Sequence, residues 1–275
     1  MKRKKMEDFL RFFSLHRDPF QDTIDPDIFY PTEIHEQTML KLNTGLQQRR
    51  PIMMLWGQSG TGKTTLSRLL LQQLKPEKFL TLLILPPPQI SQAALLDLFC
   101  HHLHGPTGRQ IPKQEKLLWL QETVTREGEA GRQLVLLVDE AHFLKSECLH
   151  LIRSMSNWES SWGKLLSIIF VGEPPFLKRL HHPTHASIRS RISLSLELPP
   201  LNAGETEQLI KFRLLVSGGN PQLFEPSCFS LIHEASGGIP RLISKIAGNA
   251  LLESFCRKTL QVTPEMISTA IAESC

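Results

Sequence analysis

The fold of this chain is decided by the stretch Gly57-Gln58-Ser59-Gly60-Thr61-Gly62-Lys63-Thr64-Thr65, a complete phosphate-binding loop that follows the apolar run at 51–56. Its glycines let successive backbone N–H groups turn toward an anion. Lys63 reaches the terminal phosphates, and the Thr64 hydroxyl suits the accompanying Mg²⁺. The segment 64–74 has a helical pattern, so the phosphates would lie at a helix N-terminus, where unpaired donors favour negative charge. The sequence therefore predicts that residues 57–65 bind a nucleoside triphosphate.

Five short aliphatic runs have the character of buried strands: 52–55, 79–85, 134–138, 166–171 and 193–198. Such nearly continuous apolar runs are what a parallel sheet covered on both faces requires. Between them, the segments 91–104, 112–126 and 145–158 carry apolar residues at helical spacing. The predicted fold is α/β, a parallel five-stranded sheet flanked by helices.

The character of the sequence changes after Pro200, because no strand pattern follows and helical patterns continue to the end. Asn202 with Glu205 predicts a capped helix start, and Thr263-Pro264 predicts the start of the last helix. We therefore expect three parts: an N-terminal segment, 1–50, packing on the nucleotide-binding core; the α/β domain itself, 51–200; and a helical domain, 201–275.

Composition excludes few functions. The formal net charge of +4 and pI of about 8.8 permit contact with nucleic acid without requiring it. Five scattered cysteines with no CxxC spacing argue against a disulfide framework and favour a reducing, cytoplasmic setting. The basic start at residues 1–5 is followed by charged residues rather than by an apolar segment, and we expect neither a secretion signal nor an integral membrane segment.

A second motif accompanies the phosphate-binding loop. The aliphatic run at 134–138 ends in Asp139 and Glu140, which is the Walker B pattern. Asp139 would hold Mg²⁺ through water, and Glu140 would orient and polarise the attacking water. A strand end with two solvated acids is the alternative for this motif on its own, but the upstream loop argues for the catalytic interpretation.

At this point the chain resembles a known family, the AAA+ ATPases of the ExeA/GspA type. The resembling segments follow in order: 13–20, Phe29-Tyr30, a helix holding His35, 139–142, 171–174 and 237–241. The resemblance implies binding and hydrolysis of ATP with Mg²⁺, self-assembly into a ring or filament, a helical lid, and the remodelling or recruitment of an unidentified protein partner. It also leaves an alternative, since related regulators of transposition are ATP-switched scaffolds that bind DNA without sequence preference.

The resemblance assigns further roles. Arg241 matches the sensor 2 arginine that contacts the phosphates, and a bidentate guanidinium suits that task. Arg189 and Arg191 match the region that supplies an arginine finger to a neighbouring subunit, although either is also acceptable as a surface residue. Phe20, Phe29 and Tyr30 would lie near the adenine, or they pin the N-terminal segment to the core.

Position 173 departs from the family pattern, which has a neutral amide where this chain has Glu173. A carboxylate near the γ-phosphate would slow hydrolysis unless it faces away or a cation compensates for it.

A contact surface for DNA or protein is a further possibility at Trp158 and Trp162, with Lys164, Lys178 and Arg179, although core packing is the commoner fate of tryptophan.

Overall fold

The computed structural model describes residues 2–21, 25–108 and 110–274, with side chains from residue 7 onward. The strands are β1 Ile52–Trp56, β2 Phe79–Ile84, β3 Gln133–Val138, β4 Glu159–Ser160, β5 Gly163–Lys164, β6 Leu166–Gly172 and β7 Ile192–Glu197. Five of them form one sheet in the order β2-β3-β6-β1-β7, and β4 and β5 form a small hairpin. The five predicted strands are confirmed, each within one residue of its predicted ends.

Every neighbouring pair in the large sheet is parallel. Ile52 of β1 lies between Ile168 of β6 and Ile192 of β7, and the central strands β3 and β6 are buried along their whole length. This burial on both faces explains the continuous aliphatic runs. Because all five strands point the same way, the sheet has one amino edge and one carboxyl edge.

The helices are α1 Lys2–Phe12, α2 Glu33–Gln47, α3 Lys63–Gln73, α4 Gln92–His102, α5 Lys113–Glu129, α6 Ser146–Met155, α7 Pro174–Leu180, α8 Ala186–Arg189, α9 Ala203–Val216, α10 Pro226–Ser236, α11 Pro240–Cys256 and α12 Pro264–Ala272. Two of the predicted helix starts, those of α4 and α9, have side-chain capping bonds. The Ser91 hydroxyl accepts from the Ala94 N–H at α4. At α9, Asn202 and Glu205 form the predicted capping box.

The described residues form two compact units. One contains the residues up to Ile34, Gln58–Thr65 and the chain from Pro199 onward, and the other contains His35–Gly57 and Leu66–Leu198. Within the first unit, α1 packs on the C-terminal helices, where the rings of Phe9 and Phe12 meet Phe255 edge-on at 5.6 and 5.4 Å between centroids. The division at residues 50 and 200 stays a prediction.

The helical cluster of the first unit has its own apolar core, in which α9, α10, α11 and α12 bury their facing side chains. Four thiols are free among the described residues: Cys100, Cys148 and Cys228 are buried, and Cys256 is exposed, while Cys275 lies outside the described part. Burial raises the pKa of both Cys100 and Cys228 to about 11. No helix in the described ranges is both long and apolar enough to cross a bilayer.

Candidate functional site

The phosphate-binding loop leaves β1 at the carboxyl edge of the sheet and runs directly into α3. Its first residue, Gly57, donates its backbone N–H to the Gly172 carbonyl at the end of β6, at 3.3 Å. Gly60 and Gly62 have φ values of +83° and +95°, a region that residues with a Cβ rarely adopt. The predicted loop conformation therefore depends on glycine at these two positions.

Lys63 begins α3 and is buried, with 7% of its surface exposed. Its ammonium donates to the Gln58 carbonyl at 2.7 Å, and the Thr61 hydroxyl donates to the same oxygen at 2.9 Å. A buried ammonium folded back over a turn of backbone is an unusual use of lysine, which is almost never buried without a specific partner. The loop thus places the Lys63 ammonium beside the N-terminus of α3, which itself favours an anion.

The loop also lies against the start of α11. The Arg241 backbone N–H donates to the Gly60 carbonyl at 3.3 Å. A Cβ added to Gly60 would come within 2.9 Å of both the Arg241 Cβ and the Ile239 Cγ2. The structure therefore brings the sequence-predicted Arg241 directly against the loop, with its side chain exposed.

Two carboxylates follow β3 at the carboxyl edge. Asp139 is buried, and its Oδ1 accepts from the Glu140 backbone N–H at 2.9 Å. Glu140 is partly exposed and has a φ of +52°, in the left-handed region. The sequence did predict carboxylates at this strand end, but not that the second one occupies a strained turn.

The turn after Glu140 continues as a short 3-10 helix, Ala141–Phe143. The His142 Nδ1 lies 3.3 Å from the Glu140 Oε2. The Arg179 guanidinium, from α7, donates to the backbone carbonyls of His142 at 3.1 Å and Leu144 at 2.7 Å. Arg179 therefore holds the backbone of this turn.

Arg179 corrects one sequence-based expectation. The sequence pattern groups it with Lys178 and the tryptophans as a possible contact surface, yet α7 follows β6 at the carboxyl edge while the hairpin precedes β6 at the amino edge. The hypothesised surface does not exist as one patch. Nothing in the sequence marked the true role of Arg179, because its partners are backbone carbonyls, which leave no side-chain pattern.

Glu173 follows β6 and stands immediately before α7 as its N-cap residue. Its side chain is partly exposed and makes no capping hydrogen bond with the helix. A negative charge at a helix N-terminus is favourable by itself. Position 173 thus lies at the edge of the sheet where β1 passes into Gly57 and where Asp139 follows β3.

The two candidate arginine fingers precede β7. Arg189 is exposed, and its Nη1 donates to the His181 carbonyl at the end of α7, at 2.9 Å. Arg191 is partly exposed. Neither observation tests a role toward a neighbouring subunit, which stays a prediction.

The candidate adenine-contacting aromatics pack among helices of the first unit. Phe20 is buried, with its ring 6.2 Å from that of Phe224, and the Tyr30 ring lies 5.6 Å from that of Phe212. These contacts attach the N-terminal segment to the C-terminal helices of the same unit. Contact with adenine stays a prediction.

The residues present fit a nucleoside triphosphate with Mg²⁺. The loop glycines give the backbone the freedom to face an anion, and a Cβ at Gly60 would collide with Arg241 and Ile239 at the start of α11. Lys63 supplies a buried cation, Thr64 a hydroxyl in the first turn of α3, and Asp139 a buried carboxylate. Hard oxygen ligands of the last two kinds are those that Mg²⁺ prefers.

Comparison with known proteins agrees with this geometry. A family model described as AAA domain matches residues 46–180. The chain is 32% identical over 265 residues to General secretion pathway protein A of Aeromonas hydrophila. This chain belongs to the AAA+ ATPases of the ExeA type. The similarity covers 96% of this chain and 48% of that relative, so this AAA+ chain spans about half the length of the protein it matches.

Solved structures share the AAA+ fold. The ORC2 protein of Aeropyrum pernix, in ADPNP–ADP complexes, superposes with a TM-score of 0.70 at 17% identity, covering 94% of this chain and 71% of that one. The ORC1 protein of Aeropyrum pernix, solved in complex with DNA, gives a TM-score of 0.67 at 19% identity, covering 91% and 68%. At these identities the likeness concerns the fold alone, which is a nucleotide-binding fold.

Proposed function

We propose that this AAA+ protein binds ATP with Mg²⁺ and hydrolyses it to ADP and phosphate. The observation that carries the proposal is the glycine-dependent loop with a buried Lys63, in a chain that also places Asp139 and Glu140 at the carboxyl edge of its sheet. The magnesium nucleotide supplies the transferable phosphoryl group and a cation that neutralises part of its charge.

Each residue has a defined task in this proposal. The backbone N–H groups at 57–65 and the Lys63 ammonium hold the phosphates, while Thr64 and Asp139 provide oxygens for the metal. Glu140 orients and polarises the attacking water, and Arg241 contacts the phosphates from the start of the lid helix α11. Phe20 and Tyr30 complete the proposed nucleotide-binding set by offering apolar surface to the adenine.

The first test is phosphate release from ATP by the purified chain. We expect turnover that depends on Mg²⁺ and stops when EDTA removes it, because the metal neutralises the developing charge. Turnover that EDTA leaves unchanged would contradict the proposed metal roles of Thr64 and Asp139. Absence of ATP binding would contradict the whole proposal.

We also propose that the site is completed between subunits of a ring or filament, with Arg189 or Arg191 reaching a neighbour's nucleotide. An arginine supplied in trans can raise phosphoryl-transfer rates by about 10³–10⁵-fold. Specific activity should therefore rise steeply with protein concentration and then level off. Activity strictly proportional to concentration, for a chain that stays monomeric, would contradict assembly.

The work done by turnover is proposed to be the remodelling or recruitment of a partner complex. The alternative is an ATP-switched scaffold that binds DNA without sequence preference. The formal charge of +4 and the fold shared with an ORC1 protein solved in complex with DNA favour keeping this alternative. It requires DNA binding that depends on ATP and weakens steeply with salt, since phosphate contacts release counterions. No binding at low salt with ATP present would remove it.

A further inference from the structure

The amino edge of the large sheet is basic. A basic residue precedes every one of the five strands: Arg50 before β1, Lys78 before β2, Arg132 before β3, Lys164 before β6 and Arg191 before β7. The carboxyl edge is the reverse, with Asp139, Glu140 and Glu173 after its strands. Apart from Arg191, a candidate finger residue, these basic residues have no part in the proposed site of hydrolysis, and the basic edge would serve a different anion.

Trp162 stands at the middle of this edge, in the turn of the β4–β5 hairpin that precedes the central strand β6. It is 74% exposed, more than any other large apolar side chain described, whereas Trp56, Trp119 and Trp158 pack against the core. A lone exposed apolar residue needs no explanation by itself. This one is different because it is held in place beside cations.

The hairpin is anchored at both ends. The Leu165 N–H donates to the Trp158 carbonyl at 3.1 Å, closing its base, and Glu159 pairs with Lys164 across it at 2.5 Å. The Arg49 guanidinium donates to the Lys164 carbonyl at 2.9 Å. The Trp162 N–H donates to the Ser160 hydroxyl at 3.2 Å within the turn. The indole is therefore presented by a turn whose backbone is restrained.

The charges around Trp162 favour an anionic partner. Glu159 and Glu127 neutralise Lys164 and Arg132 respectively by direct ion pairs. Arg49 and Arg50 make hydrogen bonds only to neutral oxygens in the described contacts, so their charges remain uncompensated by a carboxylate there. Guanidinium groups bind phosphates and also stack on planar rings, as tryptophan does.

We propose that Trp162 with Arg49 and Arg50 forms a binding surface for nucleic acid with accessible bases. Trp162 stacks on a base and the arginines contact the phosphates, which gives binding without sequence preference because every base has a π face. This inference rests on the proposed DNA-binding alternative, but it does not depend on ATP hydrolysis. The surface lies on the opposite edge of the sheet from the proposed hydrolytic residues.

The test measures binding of fluorescein-labelled single-stranded and duplex oligonucleotides of equal length, at low and high salt with ATP. Trp162→Ala should weaken single-strand binding about tenfold, and Trp162→Phe should restore most of it. Arg50→Gln should lower the slope of log affinity against log salt by about 0.7. Leu215→Ala, which truncates an exposed apolar residue on α9, is the matched control and should change neither.

ATP turnover separates the two proposals, because Trp162→Ala should leave basal turnover at the wild-type rate. Equal single-strand binding by wild type and Trp162→Ala, or a loss in Trp162→Ala that is equally large for duplex and single strand, would overturn the surface. So would equally effective competition by polyglutamate, which carries charge without bases. Absence of ATP turnover in the wild type would instead contradict the proposed ATPase function.

A second observation concerns Arg179 and the turn that carries Glu140. Arg179 lies with its guanidinium carbon 5.1 Å from the centre of the Phe176 ring, and burial lowers its pKa. A partly buried cation is retained when its hydrogen bonds repay desolvation. Here those bonds go to the carbonyls of His142 and Leu144, on the backbone that follows Glu140.

The turn needs such support because of its backbone. A left-handed backbone is unfavourable for residues other than glycine and persists only when the surroundings hold it. Glu140 has this conformation, and its own carbonyl accepts from the Phe143 N–H at 2.9 Å. The other end of α7 is bound by Arg189, through the His181 carbonyl. One short helix thus connects a candidate finger arginine with the turn of Glu140.

The geometry points to Arg179 as a positioning residue that keeps the Glu140 carboxylate in its catalytic orientation. This inference rests on the proposed ATPase function of Glu140. Arg179→Lys keeps the charge but cannot donate to both carbonyls in the same planar geometry. It should lower kcat about tenfold while the KM for ATP and the affinity for ATP stay within twofold of wild type.

Arg213→Lys is the matched control, because Arg213 also donates from a partly buried position, to the Ser244 hydroxyl, but in the helical cluster. It should leave kcat unchanged. Wild-type kcat in Arg179→Lys, or a parallel loss of ATP affinity and Tm, would overturn the positioning role. A wild type without turnover would contradict the ATPase proposal itself and not this step alone.

Discussion

At the residue scale, the conformation of the phosphate-binding loop depends on the absence of a Cβ atom at Gly60. The position combines a φ of +83° with close approach of Arg241 and Ile239. Both constraints act on the same atom, since a Cβ is unfavourable in that backbone region and has no room beside α11. The loop and the start of the lid helix are therefore shaped by one glycine.

Gly60→Ala should reduce affinity for ATP by at least about tenfold, because the loop must shift to relieve both the backbone strain and the contact. Titration with a fluorescent ATP analogue measures this. Gly237→Ala is the control: Gly237 also has a positive φ, +58°, but nothing lies within 4 Å of its added Cβ. That variant should lose about 1 kcal/mol of stability and bind ATP normally. Equal affinities for ATP in both variants would contradict this account of the loop.

Glu173→Gln should raise ATP turnover severalfold, because it removes a negative charge near the proposed γ-phosphate position. Steady-state phosphate release at saturating ATP is the measurement. Glu225→Gln is a suitable control, since Glu225 is also an N-cap residue without a side-chain capping bond, at α10. An unchanged rate in Glu173→Gln would show that Glu173 faces away from the phosphates.

Spacing alone predicts that the loop lies between β1 and α3 and that Asp139-Glu140 follows β3, and the structure has both. The roles of these residues stay predictions. The sequence did not predict side-chain interactions in which the partner is a backbone group. Arg179 was assigned to a surface, because only the structure shows that its bonds end on two carbonyls. The positive φ of Glu140 was equally invisible, since glutamate gives no signal of left-handed backbone.

At the element scale, α9 begins directly after Asn202, as the sequence predicts, because of hydrogen bonds within its own first turn. The Asn202 Oδ1 accepts from the Glu205 N–H at 2.9 Å, and the Glu205 Oε2 accepts from the Asn202 N–H at 2.8 Å. These bonds satisfy two donors that the helix itself leaves unpaired. The boundary therefore needs no tertiary contact to be predicted.

Asn202→Ala should lower the free energy of unfolding by about 1 kcal/mol, since the Glu205 N–H loses its acceptor, the Asn202 Oδ1. Urea denaturation followed by circular dichroism measures the change. Asn202→Asp keeps the acceptor and should stay within a few tenths of a kcal/mol of wild type. Equal losses in the two variants would show that the capping bond contributes nothing.

Helix α2 carries a buried histidine, and burial lowers the pKa of His35 to about 4 from its ordinary 6.5. The folded protein therefore favours neutral His35, while the unfolded chain takes up a proton below about pH 6.5. Stability from this group is present above pH 6.5 and is lost as the pH falls toward 4.

Acidification from pH 7 to pH 5 should therefore cost about 2 kcal/mol of unfolding free energy through His35. Urea unfolding at the two pH values tests this, and His35→Gln should show a smaller drop than wild type. The exposed His101→Gln serves as control and should behave as wild type. The same drop in all three proteins would exclude His35 as the cause.

At the scale of the whole molecule, the order β2-β3-β6-β1-β7 sorts charge between two edges. Aliphatic continuity predicted the five strands, because strands buried on both faces must be apolar throughout. It did not predict the strand order, which depends on long-range pairing. Only that order reveals that the hairpin of Trp162 lies at the centre of the basic edge, away from Asp139 and Glu140.

The central claim is that Glu140 activates the attacking water but is not required for the binding of ATP. ATP binding and turnover measured side by side, for wild type and Glu140→Gln, test this most directly. We predict that Glu140→Gln binds ATP within about twofold of wild type but turns it over at least 100-fold more slowly, since the amide cannot polarise the water. Wild-type turnover by Glu140→Gln would contradict the account.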